Sequence, residues 1–124
     1  MTSSPKKILI ADDDEAIVDA ISMMLEVMDY QVLSTTSGAE VAKVLKQRPD
    51  LLLLDIWMSG IDGRDVCRRV KADPTTRDIP VLMISASRQI RESAMSCGAD
   101  DFLAKPFEMS ELLQKIEQLT ENTD

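Results

Sequence analysis

The chain has 124 residues, 44% of them hydrophobic, which suits one domain with a real core. Asp and Glu outnumber Lys and Arg by 22 to 14, and the net charge of −8 repels nucleic-acid phosphates, so direct DNA binding is not expected. There is no histidine, which excludes Ser-His-Asp and Cys-His nucleophiles and the zinc sets that contain histidine.

No apolar run approaches the roughly 20 residues that span a bilayer. The start, MTSSPKK, has no apolar core and does not read as a signal peptide. A soluble, cytoplasmic protein with no membrane contact is expected. Aromatics are only 3% of the residues, so Leu, Ile, Val, Met and Ala must build the core. Cys67 and Cys97 are expected as free core thiols.

In chain order, KKILIA (6–11) reads as a buried strand stopped by Asp12, Asp13 and Asp14. From Glu15 the period turns helical through Ile17, Ile21, Leu25 and Met28, with Asp14 placed to cap the helix. A second strand follows over 30–34. Gly38 opens a helix carrying Val41, Val44 and Leu45, which Pro49 closes. The four leucines of 50–54 make a central strand that runs straight into Asp55. Residues 59–63 (SGIDG) read as a loop and 64–72 as a helix, ended by Asp73-Pro74. A fourth strand spans 80–84, stopped by Ser85-Ala86-Ser87. A helix from about Arg88 to Cys97 ends at Gly98. Residues 101–104 form a fifth strand broken by Lys105-Pro106, and a last helix covers 109–119.

Five strand–helix pairs in alternation predict a parallel sheet with helices on both faces. Right-handed crossovers favour a flavodoxin-like doubly wound α/β fold of order 2-1-3-4-5. The expected division is a disordered tail at 1–5, one domain over 6–120, and a tail or the start of a linker at 121–124.

In such a sheet, chemistry sits beyond the carboxyl ends of the strands. Strand 1 ends on Asp12, Asp13 and Asp14, strand 3 on Asp55, strand 4 on Ser85 and strand 5 near Lys105. Carboxylates brought that close repel one another and titrate as a set unless a cation intervenes. An all-oxygen site suits Mg²⁺, which also accepts phosphate as a ligand. Asp55 could then act as a nucleophile and form an aspartyl-phosphate. Lys105 would neutralise phosphoryl oxygens and the Ser85 hydroxyl would donate to one. Each residue alone also has a structural explanation, as cap, surface lysine or turn serine. Their joint placement at four strand ends is what argues for a site.

These stretches resemble the receiver domain of two-component response regulators over about residues 6–119. ILIADDDE is similar to that family's first strand and acid pair. DLLLLDIWMSGIDG is similar to its phosphorylation strand and the following loop, VLMISAS to its switch-hydroxyl strand, and GADDFLAKPF to its lysine–proline segment. The resemblance implies a phosphoacceptor switch. Asp55 would be the phosphoacceptor. Asp13 would ligate Mg²⁺ directly, Asp12 would assist through water, and the main-chain carbonyl of Trp57 would be a further ligand. Ser85 would be the switch hydroxyl, Lys105 the phosphate-binding lysine, and Phe102 the aromatic that follows Ser85. The peptide bond before Pro106 would be cis.

The implied partners are a sensor histidine kinase or histidine phosphotransfer protein upstream and an effector protein or output domain downstream. The downstream partner would read the face made by helix 4, strand 5 and helix 5, through which a homodimer could also form. The chain departs from the family pattern at Ser59, where proline is usual and whose loss would loosen the loop. It departs at Phe102, which lacks a hydroxyl, and at the bulky Trp57. In the family, side chains at the Trp57 and Ser87 positions influence how long the phosphoryl group survives. An aspartate-nucleophile phosphatase of the haloacid dehalogenase type is the competing enzyme reading. The chain lacks the length for that family's cap, and Asp12-x-Asp14 does not begin at a nucleophile. A third reading is an adaptor of receiver fold that works without phosphorylation, against which the full acid set argues.

Overall fold

The computed structural model describes residues 5–58 and 60–121. Five parallel strands form the central sheet: β1 (Lys7–Ala11), β2 (Gln31–Thr35), β3 (Leu51–Asp55), β6 (Val81–Ser85) and β7 (Asp101–Ala104). Their order is β2-β1-β3-β6-β7, which is the expected 2-1-3-4-5 topology with the strands of a small separate ribbon counted in. That ribbon pairs β4 (Trp57–Met58) with β5 (Ile61–Asp62) in antiparallel fashion.

The helices are α1 (Glu15–Val27), α2 (Val41–Val44), α3 (Gly63–Ala72), α4 (Arg91–Ser96) and α5 (Met109–Glu121). The alternation of side chains along each strand divides them between two cores. Leu52 and Leu54 join Leu9, Val81, Met83 and Phe102 under α2, α3 and α4. Leu51 and Leu53 join Ile8, Ile10, Leu82 and Ile84 against α1 and α5. This accounts for the run of four leucines: β3 is covered on both faces, so every position is apolar until the strand emerges at Asp55. Each of these leucines is fully buried, a contribution of roughly 1.5–3 kcal/mol apiece.

Local capping is as the sequence predicts at α1, where the Asp14 side chain accepts from the N–H groups of Ala16 and Ile17. Gly98, with φ of 102°, terminates the α4 segment in the left-handed region. Cys67 and Cys97 are both buried and free, and burial pushes the Cys67 thiol up to about 12.

Four expectations are corrected. The 59–63 stretch is not simply a loop, because Ile61 and Asp62 pair with Met58 and Trp57. The helix expected from Gly38 is broken into a 3₁₀ turn at Gly38–Glu40, one α turn, and another 3₁₀ turn at Leu45–Gln47. A glycine start without a side-chain cap and two β-branched valines favour helix weakly there. The helix expected from Arg88 also begins as a 3₁₀ turn, and α4 proper spans only Arg91–Ser96. At the other end of the chain α5 extends to Glu121, past the expected stop at 119. Ser59 and the tail residues 1–4 and 122–124 lie outside the described residues. Among the described residues, no helix is long and apolar enough to cross a membrane.

Candidate functional site

All five sheet strands run in one direction, so their carboxyl ends share one rim. β1 delivers Asp12 and Asp13 just beyond Ala11. Asp55 and Ser85 are the last residues of β3 and β6, and Lys105 follows β7 directly. Carboxylate oxygens of Asp12, Asp13 and Asp55 lie within 4.8 Å of one another. Asp12 and Asp55 are buried, while Asp13 faces out.

Lys105 reaches in from the far side. Its ammonium donates to Asp12 Oδ2 at 3.1 Å and stands 3.6 Å from Asp55 Oδ1. The other Asp12 oxygen accepts from the N–H of Asp14 at 2.9 Å. Lys105 is thus shared between Asp12 and Asp55. The consequence shows at Asp55, whose carboxyl is raised from 3.8 to about 6. Burial is the main cause and the negative charge of Asp12 the next. Lys105 opposes both, and Asp13 adds to the rise. An all-oxygen cluster short of positive charge fits a hard divalent cation.

Ser85 is buried at the same rim, but its hydroxyl caps the next turn by accepting from the N–H of Ser87 at 3.1 Å. Among the described residues, the Ser85 hydroxyl makes no hydrogen bond to the side chain of Asp55 or Lys105. The Ser85 carbonyl accepts from the Lys105 N–H at 2.8 Å, which fixes where the lysine leaves the sheet. The Lys105–Pro106 bond is cis. Phe102 is buried in the core beneath α4, so it already occupies the inward arrangement. Trp57 is exposed on the ribbon, with the Arg64 guanidinium 5.2 Å from its ring centre.

Two residues that shape the site were not singled out by sequence. Gly63 packs against the Asp55 main chain, and Arg64 contacts Trp57. The IDG triplet signalled a turn, but nothing in its composition revealed a close approach to Asp55. Arg64 read as one more charged residue on a helix.

An open five-stranded parallel sheet with an acid triad and a lysine at its carboxyl rim defines a receiver-type signalling domain. The chain belongs to the response regulator receiver domain family, which matches residues 8–117. It is 41% identical to the DNA-binding dual master transcriptional regulator RpaA of Synechocystis over 121 residues, which are 95% of this chain and 50% of that protein. It is 40% identical to the response regulator PleD of Caulobacter vibrioides over 117 residues, 92% of this chain and 26% of PleD. The chain thus spans half or less of these two relatives.

Among solved structures, a response regulator from Chloroflexus aurantiacus superimposes with a TM-score of 0.90 at 32% identity, covering 95% of this chain and 99% of the other. The receiver domain of the sensor histidine kinase PA1611 from Pseudomonas aeruginosa, solved with a magnesium ion coordinated in its active-site cleft, gives 0.86 at 27% identity with coverage of 95% and 99%.

Proposed function

We propose that Asp55 accepts a phosphoryl group from a phosphohistidine on a sensor histidine kinase or a histidine phosphotransfer protein. The observation that carries this reading is the cluster of Asp12, Asp13 and Asp55, with Lys105 against Asp12 and Asp55. An Asp55 carboxylate oxygen attacks phosphorus. The phosphorus–nitrogen bond breaks, and its electron pair returns to the partner's imidazole. Asp12, Asp13, Asp55 and the main-chain carbonyl of Trp57 are the groups that would hold Mg²⁺. When bound, the ion supplies charge neutralisation for the carboxylates and the incoming phosphoryl oxygens.

Lys105 leaves Asp12 to pair with a phosphoryl oxygen, and Ser85 gives up its turn contact to donate to another. Both contacts exist only in the phosphorylated state, so they bias the equilibrium toward it. Phe102 packs behind Ser85, and the α4–β7–α5 face changes for a downstream effector or output domain. A cleft of about 380 Å³ lined by Arg91, Phe102, Pro106 and Lys115 opens on that side. The domain would work in the cytoplasm and would not itself bind DNA. It would catalyse only its own phosphorylation and dephosphorylation.

The test is to add Mg²⁺ and then a small phosphodonor or beryllofluoride, following Trp57 fluorescence and intact mass. A stepwise response with a covalent phosphoryl adduct, the adduct lost in Asp55→Ala, is the expected outcome. A folded wild-type protein that responds to neither would sink the proposal and leave the adaptor reading. Sustained turnover of a phosphomonoester would instead revive the phosphatase reading.

A further inference from the structure

Trp57 keeps 57% of its surface exposed although it stands two residues from Asp55. An indole that open would ordinarily reorient freely. Here the Arg64 guanidinium lies over the ring at 5.2 Å from its centre, within cation–π range. Arg64 is itself held on two further sides. Its Nε and Nη2 donate to the Asp62 carboxylate at 2.9 and 2.6 Å, and its Nη1 donates to Ser93 Oγ at 2.7 Å. Asp62 is fixed in turn, because it caps α3 and pairs with Trp57 across the ribbon. Ser93 belongs to α4. One planar fork therefore joins the residue beside Asp55, the ribbon that follows β3, and α4.

We infer that Arg64 is a positioning residue for loss of the phosphoryl group from Asp55, holding the Trp57 ring at the rim and tying it to α4. This rests on Asp55 being the phosphoacceptor. In that hydrolysis a water oxygen attacks phosphorus and the bond to Asp55 breaks. The electron pair returns to the carboxylate, a proton passes to solvent, and inorganic phosphate leaves. A ring held in place two residues past Asp55 restricts the approach of that water, and a ring set loose does not. Because the same guanidinium binds Ser93, a displacement of α4 removes one of its anchors. The phosphoryl lifetime is thereby coupled to the position of α4. A lysine at 64 could stack or pair as a point charge, but it could not bridge the carboxylate and the hydroxyl at once.

The experiment measures two quantities in wild type, Arg64→Ala, Arg64→Lys and Ser93→Ala. One is the decay of phosphorylated protein after removal of the phosphodonor. The other is the fluorescence anisotropy of Trp57, which a merely structural role of Arg64 would not move. Arg64→Ala is expected to speed decay roughly two- to fivefold and to lower the anisotropy. Arg64→Lys should fall between it and wild type. Ser93→Ala, which removes only the half-buried hydroxyl that Arg64 reaches, should shift both readouts in the same direction and keeps the answer legible if Arg64→Ala folds poorly. Unchanged decay in Arg64→Ala and Ser93→Ala, or faster decay with Trp57 as immobile as before, overturns the inference alone. A wild type that never takes up phosphate overturns the phosphoacceptor reading and this inference with it.

Discussion

Gly63 sits directly against the main-chain carbonyl of Asp55: a Cβ at position 63 would lie 2.4 Å from that oxygen and 2.9 Å from Ile56 Cα. The obstruction is backbone, which cannot rotate aside as a side chain can. Gly63 also donates its N–H to the Ile56 carbonyl, so the start of α3 is fastened to the end of β3. The glycine is required here for space and not for an unusual φ. Gly63→Ala must push α3 away or shift Asp55. A loss of about 1–3 kcal/mol is expected in urea unfolding, with slower phosphorylation by a small donor. A variant that matched wild type in both would show that the rim tolerates the displacement.

Asp55 gives a pH-dependent signature. Its carboxyl is raised from 3.8 to about 6, so the folded chain binds that proton more tightly than the unfolded chain does. The unfolded state therefore holds fewer protons through this window, and the Asp55 contribution to stability falls as pH rises from 3.8 to about 6. Above the window the penalty is complete. Asp55→Asn is expected to raise stability at neutral pH by about 1–2 kcal/mol, the difference vanishing below the unfolded value. Unfolding midpoints of the two proteins against pH would show the convergence. Parallel curves would mean that burial and the neighbouring acids do not raise the Asp55 carboxyl.

Lys105 tests the same balance from the other side. Its removal leaves Asp12, almost wholly buried, without its ammonium partner, and takes from Asp55 the one group that pulls its carboxyl down. Lys105→Ala should cost about 1–3 kcal/mol at neutral pH. That cost should shrink in acid as Asp55 protonates, and Mg²⁺ should recover part of it by binding the folded state. Denaturant titrations with and without Mg²⁺ separate the effects. No cost at any pH would show that the Lys105–Asp12 pair does not hold in solution.

The sheet was legible because apolar strand runs and helical periods alternate without interruption, and this repetition leaves few topologies open. The rim acids were legible for a related reason: a parallel sheet gathers its strand ends, so Asp12, Asp13, Asp55, Ser85 and Lys105 could be grouped from order alone. What escaped is what depends on three-dimensional closeness between unlike elements. The ribbon at Trp57–Met58 and Ile61–Asp62 is too short to show a period of two. The stack of Arg64 on Trp57 joins a ribbon residue to a helix residue, and no single period of helix or strand runs through both. The broken α2 was missed because its apolar residues fit the helical period while its glycine, valines and missing cap disfavour the helix itself. Ser85 stands at the rim as expected, but order along the chain does not show that its hydroxyl also accepts from the Ser87 N–H of its own turn.

The two faces of the sheet are clad unequally. One side carries α1 and α5, each 13 residues long, while the other carries the ten residues of α3, the single turn of α2 and the six residues of α4. Short helices with 3₁₀ ends hold few internal bonds against fraying. Amide protons of α2 and α4 should therefore exchange with solvent through local openings, while those of β1 and β3 wait for the whole molecule to unfold. Compliance is thus concentrated on one flank, and α4, the element that a charge arriving at Asp55 is proposed to shift, lies within it.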